Sequence, residues 1–246
     1  MQRLKILLLV LFSLIGVAAF AQTKMTSPFN KVIVSPYIQV TLVQGDQESV
    51  TVDDIHVGQD KLHIEVNDKT LRIFLDGAKD FPHSEKDHSN GYKETHPLYD
   101  NTSVVATITY KRLEALSFRG EEDQLCKSPI NVDKLTLKIY GESNVTFNEL
   151  NLQQLSATLY GESNLEIKAG TVKDQKYTCY GESKVNGLAI NNSTTRLTAY
   201  GRAEFNLNVA DRIKITSFGE AQLYYKGNPI IDRGLHFGDM VINKMD

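Results

Sequence analysis

"YGESN" at residues 140–144 is the first of five closely similar phrases in this 246-residue chain. The others are "YGESN" at 160–164, "YGESK" at 180–184, "YGRAE" at 200–204 and "FGEAQ" at 218–222. The first four copies are 20 residues apart and the last follows after 18. A weaker copy, Phe118-Arg119-Gly120-Glu121, precedes Tyr140 by 22 residues and has one extra residue before its Gly. Repetition at this period is typical of stacked, equivalent structural units.

The residues around each phrase alternate between apolar and polar. With the aromatic residue counted as position zero, the columns at −3, −1, +5 and +7 are mostly apolar or small. In the first copy these positions hold Leu137, Ile139, Val145 and Phe147. The columns at −4 and −2 are polar, and Thr recurs at −2. Period-two alternation on both sides of a Gly indicates a strand, a corner and a second strand.

A unit of 20 residues is too small to bury its own apolar face, so successive units must stack. Identical columns then lie over one another about 4.8 Å apart, in parallel strand pairing. The sequence therefore predicts an all-β fold, a parallel β-helix or solenoid with coils of about 20 residues and a Gly at each corner. A β-sandwich is the alternative, but its strands have no reason to repeat a phrase at constant spacing.

Residues 1–21 have the pattern of a secretory signal peptide. Arg3 and Lys5 precede an apolar run, and Ala19-Phe20-Ala21 forms a small-x-small cleavage site before Gln22. Removal of this leader moves the formal net charge from −3 to −5. The acidic net charge and the lack of a Lys/Arg cluster argue against nucleic acid as a partner. No second long apolar stretch follows, so no membrane span is expected after cleavage.

The remaining sequence is interpreted as one elongated β domain in two parts. Residues 22–110 form an N-terminal β region that begins or caps the coil, because an open coil end would expose unpaired backbone groups. Within it, residues 77–103 are polar and break the alternation, so we expect a long surface loop. Residues 111–246 contain the repeat coils and a C-terminal closing segment.

Four stretches resemble the family described as "putative autotransporter adhesin, head GIN domain" of exported Bacteroidetes proteins. They are "FNKVIVSPYIQVTLVQGDQESVTVD" at 29–53, "YKRLEALSFRGE" at 110–121, the YGES phrases, and "AQLYYKGNPIID" at 221–232. The resemblance covers nearly the whole chain after the leader. It implies a right-handed β-helix-like fold and no established enzyme activity. The chain departs from the family in having Glu142, Glu162 and Glu182 where small residues are usual, and "LHFGDMVI" in place of Ser-Gly-rich turns.

The repeated phrase supplies the candidate binding face. Its residues are Tyr140, Glu142, Tyr160, Glu162, Tyr180, Glu182, Tyr200, Arg202 and Glu220. An exposed Tyr row beside Thr and Glu would suit a sugar or a protein, whereas an aromatic stack covering the flank of the coil is the preferred interpretation. The acidic row is read as a solvated corner rather than a calcium ladder, because the Asp-containing nonapeptides of calcium-binding solenoids are absent.

Asn144 and Asn164 occupy one column, so their amides are predicted to form a hydrogen-bonded ladder. Lys184 and Glu204 follow in the same column and are expected to continue the ladder as an ion pair, which is worth little if exposed.

Two further residue types could carry chemistry. Cys179 lies in an apolar column and Cys126 in a position of polar parity, and their separation along the coil exceeds disulfide reach, so we predict two free thiols. His83, His88 and His96, near Glu85 and Asp87, match no zinc spacing, and no metal site or cofactor is predicted.

These patterns predict an exported, non-catalytic β-solenoid of the periplasm or cell surface that acts as an adhesin-like binding module. Its partner would be a glycan or an envelope protein, and homo-oligomers could form through the coil ends. One alternative is a periplasmic small-molecule or lipid binding protein, which needs a pocket where the N-terminal strands meet the coil. Another is a polysaccharide-active β-helix enzyme, although equivalent Glu residues in a row differ from the two unlike carboxylates that glycoside hydrolysis uses.

Overall fold

The computed structural model describes residues 22–80, 84–87, 94–99 and 101–246, with only the backbone described at 84–87 and 94–96. These residues form eighteen strands and one short 3₁₀ turn, Gln59–Lys61. The strands are β1 (Gln22–Met25), β2 (Lys31–Val34), β3 (Ile38–Gln44), β4 (Ser49–Ile55), β5 (Leu62–Asn67), β6 (Thr70–Leu75), β7 (Ser84–Asp87), β8 (Glu94–Pro97), β9 (Val104–Tyr110), β10 (Ala115–Gly120), β11 (Asp123–Cys126), β12 (Ile130–Gly141), β13 (Asn144–Phe147), β14 (Leu150–Tyr160), β15 (Ser163–Ile167), β16 (Gly170–Lys226), β17 (Ile230–Phe237) and β18 (Met240–Lys244). Within the described ranges, no helix has the length and apolar character needed to cross a membrane.

The strands wind into a parallel β-solenoid of about six coils with about 20 residues each. One sheet face stacks β6, β2, β10, β12, β14, β16 and β17 in that order, and a second stacks β9, β3, β11, β13, β15, β16 and β18. Strand β16 is long because it continues through several coils, and Gly181, Gly201 and Gly219 have positive φ where it passes the repeated phrases. The repeat is in register, since Tyr140 pairs with Tyr160 and Tyr160 with Tyr180. The predicted all-β solenoid is confirmed.

The interior is filled by the columns that the sequence pattern assigned to it. Leu137, Ile139, Val145 and Phe147 each have at most 1% of their surface exposed. Their counterparts in the following coils are also buried and belong to the same continuous core. Stacking of short units therefore creates the hydrophobic core that a single unit lacks.

The N-terminal end of the solenoid is closed by antiparallel strands. Strand β4 pairs antiparallel with β9 and is covered in turn by β1, whereas β5 pairs antiparallel with β6. The β5–β6 hairpin turns at Asp68 and Lys69, both with positive φ (49° and 59°), as a two-residue type I′ turn requires. These strands pair the backbone groups that a parallel coil end would leave open.

Within residues 77–103, the described residues include two strands that the sequence analysis did not predict. Strands β7 and β8 form a two-stranded antiparallel hairpin within this segment. Near the C-terminal end of this segment, Tyr99 is 8% exposed and meets the Tyr37 ring edge-on, with the ring centroids 5.5 Å apart. The Tyr99 hydroxyl donates a hydrogen bond to the Asp76 carbonyl at 2.9 Å. The polar composition of this segment indicated that it leaves the coil. It gave no sign of β7 and β8, because backbone hydrogen bonds between strands do not require alternating apolar residues.

The first repeat coil has a register one residue away from the expected one. Gly120 pairs with Gly141, so Arg119 lies opposite Tyr140 and Phe118 lies in the core opposite Ile139. The same shift places Cys126 beside Phe147, and Cys126 is buried rather than at a polar position. Both cysteines are free, as predicted, and the expected burial of Cys179 is confirmed. Burial raises the pKa of the Cys179 thiol to about 12, so this group stays protonated at neutral pH.

Candidate binding face

Each YGES phrase forms a corner of the solenoid, and its Gly, Ser and Glu residues have different structural roles there, as the first phrase illustrates. Gly141 has φ +103°, and a Cβ atom there would lie 2.2 Å from the carbonyl oxygen of Gly120 in the coil below. Ser143 faces inward and donates its hydroxyl proton to that same carbonyl at 2.8 Å. Glu142 faces outward and is exposed. The recurrence of the phrase is therefore explained by the geometry of the corner.

The aromatic residues of the phrases form a continuous ring stack. Successive centroids from Tyr140 to Tyr160, Tyr180, Tyr200 and Phe218 are 4.8, 4.8, 4.9 and 5.1 Å apart, with interplanar angles of 1° to 5°. The residues Tyr160, Tyr180 and Tyr200 are 37%, 38% and 40% exposed. Their flat faces cover one another, so solvent reaches the ring edges and hydroxyl groups. This arrangement is the flank-covering stack preferred from the sequence, with one edge of each ring exposed.

The two ends of the ring stack are different. At one end the Arg119 guanidinium lies 5.6 Å from the Tyr140 ring centroid, a cation–π contact that covers the terminal ring. At the other end Phe237 lies 5.8 Å from Phe218 and is 62% exposed. Phe237 and Gly238 therefore form a further copy of the corner that the sequence analysis did not recognise. The signal was an aromatic-Gly-acidic triplet 19 residues after Phe218.

The acidic row is exposed and is interrupted by one cation. Arg202 contacts Glu182 through Nη1 at 3.2 Å and donates from Nε to Glu220 at 3.0 Å. Glu142 and Glu162 are exposed carboxylates in the preceding coils. Within the described part of the chain, no three His, Cys, Asp or Glu residues are grouped to hold a metal ion. We call the nine predicted residues of the phrases, from Tyr140 to Glu220, the Tyr–Glu corner.

The predicted ladder beside this corner is confirmed. The Asn164 side-chain amide donates to the Asn144 Oδ1 at 2.8 Å, and Asn144 donates to the Asp123 carboxylate at 2.8 Å. Lys184 and Glu204 continue the column as an ion pair at 2.9 Å. The hydrogen bond from Lys184 lowers the pKa of Glu204 below its ordinary value. Together with the corner, this column borders a shallow depression of about 310 Å³ that is open to solvent.

A separate groove lies at the N-terminal end of the solenoid, where the sequence indicated none. It has a volume of about 510 Å³ and is lined by β1, β4, β5 and the 3₁₀ turn. Ile55, Leu62 and Ile64 contribute apolar surface, and the Lys24 ammonium group donates to the Ile64 carbonyl at 2.9 Å. Because β1 is distant in sequence from β4 and β5, only the fold brings it to the groove. The histidine segment cannot be compared in the same way, since His83, His88 and the His96 side chain lie outside the described residues.

The family model described as "Putative auto-transporter adhesin, head GIN domain" matches residues 28–229. The chain belongs to this family. The resemblance carried by the N-terminal strands and the YGES phrases is thereby confirmed, and so is the solenoid fold that it implied. No curated protein has significant sequence similarity to the chain.

Solved structures of similar proteins have the same fold. A crystal structure described as a putative adhesin from Bacteroides fragilis has 18% identity and a TM-score of 0.72, and the match covers 92% of this chain and 96% of that one. A putative adhesin from Parabacteroides merdae has 17% identity and a TM-score of 0.65, with coverage of 92% and 95%. A protein from Parabacteroides distasonis, described as a putative lipid binding protein, has 20% identity and a TM-score of 0.61, with coverage of 93% and 98%.

Proposed function

We propose that this head GIN family member is an exported, non-catalytic binding module of the cell envelope that presents the Tyr–Glu corner to a glycan or an envelope protein. The observation that carries the proposal is the in-register repetition of one exposed corner along the ring stack. Parallel pairing holds Tyr160, Tyr180 and Tyr200 at fixed spacing, so their hydroxyl groups are already ordered before a partner arrives. The family to which the chain belongs supports the same role.

The chemistry of the corner restricts what it can recognise. A sugar ring that stacks on an aromatic side chain needs a free ring face, and the faces of Tyr160 and Tyr180 are covered by their neighbours. Recognition would therefore use Tyr hydroxyls and ring edges together with the carboxylates of Glu162 and Glu182. Such a surface suits a partner rich in hydroxyl groups or cations.

A non-catalytic role is supported by the equivalence of the carboxylates. Glu142, Glu162 and Glu182 occupy the same position of successive corners and are all exposed. Glycoside hydrolysis requires an acid and a base or nucleophile in unlike surroundings. A row of equivalent solvated carboxylates is better suited to binding than to this division of roles.

Binding to cell-envelope fractions tests the proposal. The double variant Tyr160→Phe/Tyr180→Phe keeps the ring stack and removes two exposed hydroxyls, whereas Tyr224→Phe/Tyr225→Phe makes the same chemical change on the other sheet face. We expect the wild type to bind a polysaccharide or protein fraction, and the corner variant to bind roughly 30-fold more weakly, since each of the two lost hydrogen bonds is worth about 1 kcal/mol. Absence of binding by the wild type, or equal losses in both variants, would contradict the proposal.

Protease treatment of intact cells decides where the module works. Cleavage of the chain while a periplasmic marker survives supports display on the cell surface and an adhesin-like role. Survival until the outer membrane is opened supports a periplasmic location, and the partner must then be sought inside the envelope.

A lipid-binding role is the second candidate, favoured by the N-terminal groove. Its apolar lining includes Val52, Ile55, Leu62 and Ile64, and Lys24 could contact an anionic headgroup. The similar fold of the Parabacteroides distasonis protein is consistent with this role. A fluorescent fatty acid that binds at a ratio of one to one, and is lost in Leu62→Glu with the circular dichroism spectrum unchanged, would support it. Binding that survives this variant would argue against the groove as the site.

A further inference from the structure

A basic groove runs along the solenoid axis at the corner opposite the Tyr–Glu corner on the same sheet face. It has a volume of about 670 Å³. Along its floor run Leu135, Leu155, Gln175 and Thr195, one from each of four successive coils, with their side chains buried. The walls are the exposed columns that flank this floor in the same coils, and the groove continues to the end of the solenoid at Asp232.

The walls carry a surplus of positive charge. Five cations line the groove, Lys134, Lys176, Arg196, Arg212 and Lys214, against two carboxylates, Asp174 and Asp232. This surplus occurs in a chain whose formal net charge is −3. The groove therefore concentrates cations that the composition alone does not reveal.

Four of these five cations form no ion pair within the described part of the chain. Arg212 is 3.8 Å from Asp232, and Asp174 accepts a hydrogen bond from the Thr194 hydroxyl at 2.5 Å. Lys134, Lys176, Arg196 and Lys214 form no ion pair with any described residue. Lys176, Arg196 and Lys214 occupy one column, so their backbones repeat about 4.8 Å apart. Like charges at this spacing repel one another, and a bound anion would relieve the repulsion.

We propose that this groove binds a linear anionic glycan, one that carries uronate carboxylates or sulfate groups, with its chain along the solenoid axis. The cations would pair with the acidic groups, and the side chains of Thr136, Gln154 and Ser156 in the groove walls offer hydrogen bonds to sugar hydroxyls. This is a second site, about 13 Å along each strand from the ring stack, and it does not depend on the function proposed for the Tyr–Glu corner.

Two other polyanions fit the groove less well. A nucleic acid strand is usually held by base stacking on aromatic side chains, and the described lining contains no aromatic residue. A membrane with anionic headgroups is a broad surface, whereas these cations line a narrow concave groove. A flexible linear polymer can follow the groove from coil to coil.

A pair of matched variants tests the proposal on the intact protein. Lys176→Gln/Lys214→Gln removes two groove cations, and Lys127→Gln/Lys226→Gln removes two exposed lysines outside the groove lining, with the same change in net charge. The probes are dextran sulfate, polygalacturonate, unmodified dextran and single-stranded DNA, measured at one fixed salt concentration. Circular dichroism confirms that each variant is folded, and Arg196→Gln serves as an independent groove variant.

We expect the wild type to bind dextran sulfate or polygalacturonate and not unmodified dextran. Each cation near an anionic surface contributes about fivefold in affinity, so the groove double variant should bind roughly 25-fold more weakly. The control double variant should stay within about twofold of the wild type, because its lysines do not face the ligand. The stronger of the two anionic probes identifies sulfate or carboxylate as the recognised group.

Three results would overturn the proposal. They are absence of binding to both anionic glycans, equal losses in the groove and control variants, and binding of single-stranded DNA as tight as that of the glycans. None of these results bears on the hydroxyl-dependent binding of the Tyr–Glu corner, because the tyrosine variants leave the groove unchanged. The two proposals can therefore fail separately.

Discussion

The ring of Tyr160 lies parallel to the ring of Tyr140, with the centroids 4.8 Å apart and the planes at 1°. Isolated aromatic pairs prefer offset or edge-to-face contacts. Here the centroid distance equals the spacing of paired strands, so the backbone register, rather than the preference of the rings, determines the stacking geometry. The ring stack is therefore a consequence of the in-register repeat.

Replacement of one ring inside the stack should reduce stability. Tyr160→Ala removes ring contacts with Tyr140 and Tyr180, and because the Tyr160 side chain is partly exposed we expect a loss of about 2 kcal/mol in the free energy of unfolding. Tyr160→Phe keeps both contacts and should change stability by less than about 0.5 kcal/mol. Guanidinium unfolding followed by circular dichroism measures both. Equal losses would mean that the hydroxyl, and not the ring, carries the stabilisation.

Gly161 should tolerate no side chain. Its φ is +99°, and an added Cβ atom would lie 2.4 Å from the carbonyl oxygen of Gly141. Gly161→Ala combines backbone strain with this contact, and we expect it to cost about 3 kcal/mol or more. Thermal melting of the purified variant checks the expectation.

Gly187 is the matched control for this substitution. It is buried in the same repeat region, but the nearest neighbour of an added Cβ is the Leu207 side chain at 3.3 Å rather than a backbone atom. Gly187→Ala should therefore cost less than about 1.5 kcal/mol. If both alanine variants melt at the same temperature, the corner geometry is not what selects Gly in the repeated phrase.

Tyr177→Phe should stabilise the protein. Tyr177 is fully buried, and its hydroxyl oxygen has no hydrogen-bond partner among the described residues. Because a buried polar group without a partner costs about 1–3 kcal/mol, its removal should raise the free energy of unfolding by about 1 kcal/mol. The buried Tyr110 is the control, since its hydroxyl donates to the Pro129 carbonyl at 3.5 Å. Tyr110→Phe should be neutral or destabilising, and a loss of stability in Tyr177→Phe would contradict the argument.

The repeating columns were predictable because each coil must place an apolar side chain inward at the same positions as the coil before it. The register of the first coil could not be predicted, because Phe118 and Arg119 both precede Gly120. Only the strand pairing shows that Arg119 occupies the aromatic column. The last corner at Phe237 was missed because a register shift between Ile215 and Ser217 disturbs the spacing.

The basic groove and the N-terminal groove could not be predicted from the sequence for a different reason. Lys176, Arg196 and Lys214 are visible in the sequence as one polar column, but a column does not reveal whether the surface beside it is flat or concave. The N-terminal groove depends on β1 together with β4 and β5, and β1 reaches these later strands only in the folded cap. Periodicity predicts which side chains face outward, whereas the shape of the surface follows from how the coils bend.

Glu122 should contribute less to stability as the pH rises, which is opposite to the usual behaviour of a carboxyl group. The carboxylate is 7% exposed and accepts backbone hydrogen bonds from Tyr37 at 2.7 Å and Glu121 at 3.0 Å. Burial is the largest effect and raises the pKa of Glu122 above its ordinary value of 4.5, although the hydrogen bonds oppose it. The folded protein then binds this proton more tightly than the unfolded chain does. Its contribution to stability is complete below pH 4.5 and decreases as the pH rises through the raised pKa.

Glu122→Gln removes this titration and isolates the effect. Gln keeps one acceptor oxygen but cannot accept both backbone bonds, so the variant should be less stable than the wild type at pH 4. The wild type alone loses the protonation contribution as the pH rises, so the difference in unfolding free energy between the two proteins should become smaller by pH 8. Urea unfolding at several pH values measures this difference, in which titrations common to both proteins cancel. A difference that grows with pH would mean that the pKa of Glu122 is lowered in the folded protein, with its two hydrogen bonds outweighing burial.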